Sequence, residues 1–401
     1  MIVTSARVPT TRRLAATLYG YAFLTDFILL YPLYVLLFAD TGLSVGQISS
    51  LFVIWSAAGI VLEVPSGAWA DAVSRRLLLT LAPLLPAAAF ALWVLVPSYP
   101  AFAVGFVLWG AGGALRSGAL EALVFTELDR LDATGRYARL MGRAKTAEIL
   151  SVVAAMGLAG PVLALGGYRA VGAASFAACL LAAAVASRFP EHRTAGDVGP
   201  ADDDGSDVND PRWLASMRAG LAEARADRSV QTALLLVPAV AAIWGALEEY
   251  TPLLARDTGV AVERVPLLLM LVWAGATLGG LLIPLGERLT TRGYAALLVA
   301  AALALAAGAL ARHPAGFVLI GGAFGAFQLA TVLADVRLQS RITGPSRATV
   351  TSAAGMATDL SIIAVYAGYG VVAALVGNPV AFAVAVVPYL MVALWLAAWR
   401  S

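Results

Sequence analysis

Repeated apolar runs, several about 20 residues long, constrain this chain most, because that is the length a helix needs to cross a bilayer. Spans are expected near 14–39, 47–70, 77–97, 99–128, 140–165 and 168–187. After a polar stretch, six more are expected near 230–254, 264–286, 293–311, 315–340, 347–374 and 378–399. Only 13% of the residues are charged and 60% are hydrophobic. A soluble domain is about 25% charged. The expected class is an all-α polytopic membrane protein with twelve transmembrane helices.

Twelve spans put both termini on one side, and positive charge chooses that side. With the termini cytoplasmic, the inner segments hold 22 of the 27 Lys and Arg, and the outer loops hold four: Arg169, Arg256, Arg264 and Arg312. Arg116 lies within a span. The first apolar run lacks a small-residue cleavage site, so it is read as a helix and not as a cleaved signal. One lysine against 26 arginines, with abundant alanine, points to a GC-rich bacterial genome and so to an inner (plasma) membrane. The single cysteine, Cys179, excludes an intramolecular disulfide. A net charge of +2 gives no reason to expect a nucleic-acid partner.

The polar stretch splits the chain into a bundle over 1–190, a cytoplasmic linker over 191–228 and a second bundle over 229–401. Within the linker, 212–228 has the pattern of a short amphipathic helix at the membrane surface. Asp203, Asp204 and Asp207 have a spacing used to hold magnesium diphosphate, but a solvated acidic linker explains them without a metal. The halves echo each other, as duplicated transporter halves do. Asp40-Thr41-Gly42 returns as Asp257-Thr258-Gly259. Asp71 and Arg76 precede Glu287 and Arg292 by 216 positions. Arg136 and Glu148 precede Arg347 and Asp359 by 211.

The segment VLEVPSGAWADAVSRR, 61–76, carries Glu63, Gly67 and Asp71 at four-residue spacing and ends in Arg75 and Arg76. Gly67, Asp71, Arg75 and Arg76 resemble the motif between the second and third helices of the major facilitator superfamily. Ala72 and Ser74 depart from it. The resemblance implies two six-helix bundles that rock about a central site, alternately open to each side. It also implies that Asp71 meets the positive end of the eleventh helix, closing a cytoplasmic gate to which Glu63 belongs. Arg75 and Arg76 are expected to reach acidic groups such as Glu127 or Asp129.

A charge at mid-membrane costs on the order of 3 kcal/mol, so it faces a partner or a watery cavity. Spans 3, 6, 9 and 12 contain no interior charge, while spans 1, 4, 7 and 10 contain Asp26, Arg116, Glu121, Glu127, Glu248, Glu249 and Asp335. Asp26 and Arg116 lie at similar depth and are expected to pair, either as a fixed structural pair or as one broken by a proton or substrate. Glu121 is about 7.5 Å nearer the cytoplasm than Arg116 and about 140° around the helix, so the two do not share a stripe. Asp26 and Glu121 are the expected proton carriers, with Arg116 holding or releasing one of them. Glu248 is preferred over Glu249 as the cavity-facing member of that pair, and Asp335 lies towards the inner end of span 10. Tyr19, Tyr21, Phe23, Tyr31, Tyr34, Trp244 and Tyr250 either form an aromatic wall for a bulky substrate or pack helices together.

Gly157, Gly160, Pro161, Gly166 and Gly167 resemble the fifth-helix motif of antiporters in the same superfamily, with a wider spacing after the proline. The resulting expectation is a monomeric secondary transporter that exports a small organic compound, a drug or metabolite, in exchange for protons. The alternative is uptake by proton symport. An embedded enzyme would need a nucleophile with a base or clustered ligands. The chain has two histidines, His192 and His313, in loops on opposite sides. It has no nucleotide-binding loop. No cofactor and no metal are expected.

Overall fold

The structure is a computed structural model that describes residues 7–192, 228–342 and 347–398, without the side chains of 7–10, 63–72, 228–229 and 347–348. Every regular element among the described residues is helical. The expected linker, with Asp203, Asp204 and Asp207, falls on 193–227, outside the described residues.

In the first part of the chain the helices are α1 (Arg7–Asp26), α2 (Tyr34–Asp40), α3 (Val45–Ala72), α4 (Arg75–Leu81), α5 (Leu84–Leu95), α6 (Tyr99–Arg116), α7 (Ala119–Arg130) and α8 (Tyr137–Ala186). The second part has α9 (Arg228–Glu248), α10 (Thr251–Asp257), α11 (Val265–Leu281), α12 (Ile283–Gly286), α13 (Thr291–Leu310), α14 (Gly316–Arg341), α15 (Arg347–Val376), α16 (Asn378–Val384) and α17 (Val387–Ala398). Among the described residues, ten segments are long and apolar enough to cross a membrane. Arg7–Asp26, which begins with Arg7, Arg12 and Arg13, is not one of the ten. One of them, Thr134–Ala186, has 53 residues. A straight helix of 50 residues would run about 75 Å, more than twice the hydrocarbon thickness. Gly166 (φ −152°) and Gly167 (φ +63°) break α8 at the boundary the sequence predicts.

The chain divides into two compact units, Met1–Thr194 with Val262–Leu267, and Ala195–Ala261 with Leu268–Ser401. In the first, α1 packs along α8, α3 along α6, and α5 between α6 and α8. Its interior is aromatic: Tyr34, Phe38, Trp93, Phe102 and Phe106 are all buried. The rings of Phe38 and Phe102 lie 4.2 Å apart, and those of Trp93 and Phe106 4.9 Å apart. Tyr34 therefore packs helices together and does not line a wall. Tyr21 does the same, edge-on to Phe189 at 5.7 Å. A second cluster, including Leu14, Leu18, Leu78, Leu123 and Phe189, joins α1, α4, α7 and the end of the unit. In the second unit, α9 packs on α14 and α15, and α13 on α14, α16 and α17. Large aliphatic side chains stand fully exposed on the helices, Leu165, Leu235 and Leu375 among them. Such a surface suits hydrocarbon and would be a liability in water.

Six spans expected to be continuous are interrupted: the third, eighth and twelfth at 82–83, Leu282 and 385–386, and the first, fourth and seventh beside charged residues. Residues 27–33 separate α1 from α2 without helix, and Pro32 lies among them. Proline disfavours helical backbone in the residue before it and brings no N–H of its own. Ser117 and Gly118 (φ +72°) separate α6 from α7. Glu249 and Tyr250 separate α9 from α10, which carries Pro252 in its first turn. Local apolarity set the expected lengths, and these breaks lie inside apolar sequence.

Candidate functional site

The interruptions of the first, fourth and seventh spans carry charge. Asp26 is the last residue of α1, Arg116 the last of α6, and Glu248 the last of α9. A cation is favoured at a helix C-terminus by the exposed carbonyls, and an anion is disfavoured there. Arg116 is thus well placed by its own helix, while Asp26 depends on a neighbour. That neighbour is Arg116, whose Nη1 lies 3.7 Å from Asp26 Oδ1. The expected pair is brought together, but loosely. A strong Arg–carboxylate pair is bidentate with contacts near 2.8 Å. Both side chains keep access to solvent, at 38% for Arg116 and 30% for Asp26.

Glu121 sits in the first turn of α7, where an anion is favoured. It is exposed, and among the described residues it forms no ion pair. Its depth and angle relative to Arg116 do not follow from a continuous helix, because Gly118 turns the chain between them. Asp335 is exposed on α14.

The cytoplasmic gate motif is only partly visible. Helix α3 runs through Glu63, Gly67 and Asp71, but their side chains lie outside the described residues. Ser74 caps α4, accepting the Leu77 N–H at 3.1 Å. Arg75 reaches across to α7, donating to Thr126 Oγ1 at 3.0 Å and to the Ala122 carbonyl at 3.4 Å. The Arg76 N–H donates to Glu191 Oε1 at 3.4 Å, and the Ser74 hydroxyl donates to Glu191 Oε2. The expected arginine contact to Glu127 is not made. Buried Glu127 instead accepts the His192 N–H at 2.9 Å and the Arg130 Nε–H at 3.4 Å, with His192 Nδ1 3.1 Å from both its oxygens. The chain leaving α8 is pinned there to α4 and α7 by Glu191 and His192, a role the sequence reading missed. Its only signal was a Glu-His pair directly after the last apolar residues of the half.

In the second unit, Glu249 is buried and Glu248 half-buried. Tyr366 of α15 lies close to both. Tyr250 stacks on Tyr369 at 3.8 Å and meets Tyr366 at 6.0 Å. The three tyrosines form a buried cluster. Tyr366 and Tyr369 went unnoticed in the sequence, although their three-residue spacing puts them on one helix face. Trp244 donates its indole N–H to Thr331 Oγ1 at 3.0 Å and lies 5.8 Å from the Phe324 ring.

The sequence profile described as Major Facilitator Superfamily matches residues 16–366. The chain belongs to that superfamily. It is a multi-pass membrane transporter in fold and family, and no curated protein sequence matches it closely. Three solved structures show the same fold. The nucleoside transporter NupG is 13% identical with a TM-score of 0.73, over 96% of this chain and 100% of its own. A bacterial homologue of the human lysosomal transporter Spinster, inward-facing and unoccupied, is 17% identical with a TM-score of 0.67, over 99% of both chains. A D-xylose–proton symporter is 16% identical with a TM-score of 0.63, over 97% of both chains. At such identities the likeness concerns fold alone.

Within this transporter the glycines of 157–167 have distinct surroundings. A Cβ at Gly160 would lie 2.0 Å from the backbone oxygen of Glu263, so only glycine allows that approach. Gly157 faces open space. Pro161 lies inside α8, and Gly166 and Gly167 form its break. The duplicated Asp-Thr-Gly segments also gain a structural meaning. Each ends a seven-residue helix, α2 or α10, at a positive-φ glycine, Gly42 or Gly259. Asp40 accepts the Tyr168 hydroxyl at 2.6 Å, and Asp257 accepts the Asn378 amide at 2.8 Å. Tyr168 and Asn378 each follow a positive-φ glycine, Gly167 and Gly377. The same clasp is thus built once in each unit.

Proposed function

We propose that this transporter is a proton-coupled exporter of a small organic compound. It works as a monomer by alternating access in a bacterial inner membrane, with twelve spans in two six-helix halves and cytoplasmic termini. The observation that carries the reading is the loose, solvent-accessible contact between Asp26 and Arg116 at two helix breaks. A carboxylate that loses its charge to a proton releases the guanidinium, and a guanidinium drawn to a substrate releases the carboxylate. The pair therefore links proton and substrate occupancy. Glu121, Glu248 and Asp335 are further carboxylates on cavity-lining spans that can carry or relay the proton. Glu63, Gly67, Asp71, Arg75 and Arg76 form the cytoplasmic gate. The glycine–proline pattern of 157–167 supports export.

Uptake by symport is the second reading, and the fold shared with a D-xylose–proton symporter favours it. Inside-out vesicles with an imposed proton gradient and a panel of compounds decide. Export predicts accumulation that collapses with the gradient and is lost in Asp26→Asn. Accumulation only against the opposite gradient supports symport. No gradient-dependent movement of any compound counts against proton coupling.

A further inference from the structure

We propose that Tyr389 and Ser175 are positioning residues. Each is a buried hydroxyl through which the end of a unit holds one backbone position in that unit's first span. The Trp244 N–H in α9 would ordinarily donate to the Val240 carbonyl, four residues back. The Trp244 N–H donates to the Tyr389 hydroxyl at 2.9 Å, and that hydroxyl donates to the Val240 carbonyl at 3.0 Å. A side chain inserted into the helix ladder in this way is a recognised cause of bending. Tyr389 is fully buried and its ring is stacked on Phe327 at 4.1 Å, so the hydroxyl has nowhere else to go.

Two further features make this turn special. Pro238, six residues before Trp244, has no N–H and removes one rung of the ladder. The Trp244 indole is tied to Thr331, whose own hydroxyl donates to the Phe327 carbonyl at 2.9 Å. Tyr389, Phe327 and Thr331 together fix where Trp244 stands. Glu248 lies one turn further on, at the break. The segment leading to the paired carboxylates therefore leaves a helix that a neighbour holds at this turn.

The first unit repeats the device. The Leu30 N–H, in the gap between α1 and α2, donates to Ser175 Oγ at 3.0 Å, and Ser175 donates to the Val171 carbonyl at 2.9 Å. Ser175 is fully buried. Leu30 is four residues after Asp26, as Trp244 is four before Glu248. In each unit a hydroxyl from its closing span holds a backbone N–H of the first span within about one turn of a carboxylate. The consequence for transport rests on the proposed function, since these hydroxyls set the position of groups assigned there to proton and substrate.

The test needs no substrate, so its outcome is separate from that of the transport reading. Full-length protein in lipid nanodiscs is compared with Tyr389→Phe, which keeps the ring stack, and with Ser175→Ala. Hydrogen–deuterium exchange at Trp244 is expected to rise about tenfold in Tyr389→Phe, since one buried bond is lost. Exchange at Leu30 is expected to rise similarly in Ser175→Ala. In 5-fluorotryptophan-labelled protein, the Trp244 fluorine line, assigned by its loss in Trp244→Phe, should move in Tyr389→Phe while the lines of Trp55 and Trp93 stay. Unchanged exchange at Trp244 and Leu30, or an unmoved Trp244 line, overturns the proposal.

Discussion

The Asp26–Arg116 contact lends itself to a double-mutant cycle of Asp26→Asn, Arg116→Gln and the pair. Two unit charges 3.7 Å apart attract by about 4.5 kcal/mol at an effective dielectric near 20, and by about 1 kcal/mol in water. Both side chains are about one-third exposed and the contact is monodentate, so screening pulls the value to the lower end. A coupling of about 1–2 kcal/mol is expected. Thermal unfolding of the four proteins in one detergent reads it. For a body the size of the first unit, 1 kcal/mol moves the midpoint by about 2–4 °C. The single variants should each lower the midpoint, and the double should fall short of their sum by a few degrees. Shifts that add within about 1 °C would show that the charges ignore each other in the folded protein. The kinetic arm is independent, because a pair can be stabilising and still idle. Full proton-driven transport by Asp26→Asn would refute the carrier role and leave a structural pair.

Glu127→Leu should destabilise the protein by about 1–3 kcal/mol, because the His192 N–H and the Arg130 guanidinium lose their buried acceptor. Glu127→Gln should cost less in the same thermal assay. Gly160→Ala should cost about 1–3 kcal/mol, since the carbonyl it meets is backbone and cannot step aside. Gly157→Ala, in open space, should be neutral or slightly stabilising. Orientation is checked with a membrane-impermeant maleimide on intact cells, where buried Cys179 should stay silent. His313→Cys should be labelled and Arg139→Cys protected; the reverse pattern would invert the proposed topology.

Much of the fold was legible because the bilayer imposes a length and a charge cost that a single sequence displays. The apolar runs from 47–70 onward fall on helices within a few residues, and the break between the fifth and sixth runs fell at Gly166–Gly167. The pairing of Asp26 with Arg116 followed from charge cost at matched depth. Interruptions inside apolar runs were illegible to hydropathy, which averages over a window longer than the break. Pro32, Gly118 and Pro252 were their local signals. The partner of Glu127 was misjudged because proximity in the membrane plane is not written in sequence spacing. Two arginines were available at the right end of the molecule, but a histidine 65 positions away arrived by folding.

The coincidence of charges with helix breaks has a physical reason that neither feature alone provides. A charged side chain at membrane depth needs water or a counter-ion. An interrupted helix there exposes carbonyls and amides that need the same things. Placing both at one depth lets a single polar pocket satisfy both, where separate placement would require two. Asp26 and Arg116 illustrate the economy: one guanidinium lies near a carboxylate and ends a helix whose final carbonyls favour a cation. Glu248 and Glu249 stand at the equivalent break of the second unit, where Tyr250, Tyr366 and Tyr369 cluster. Both units therefore place charge at corresponding breaks, an ion pair in one and two adjacent carboxylates in the other. If the carboxylates recognise cargo, Glu248→Gln should weaken export of a cationic compound such as tetraphenylphosphonium at least tenfold and leave an uncharged one untouched. Equal loss for both would mean that the carboxylates serve the proton and not the cargo.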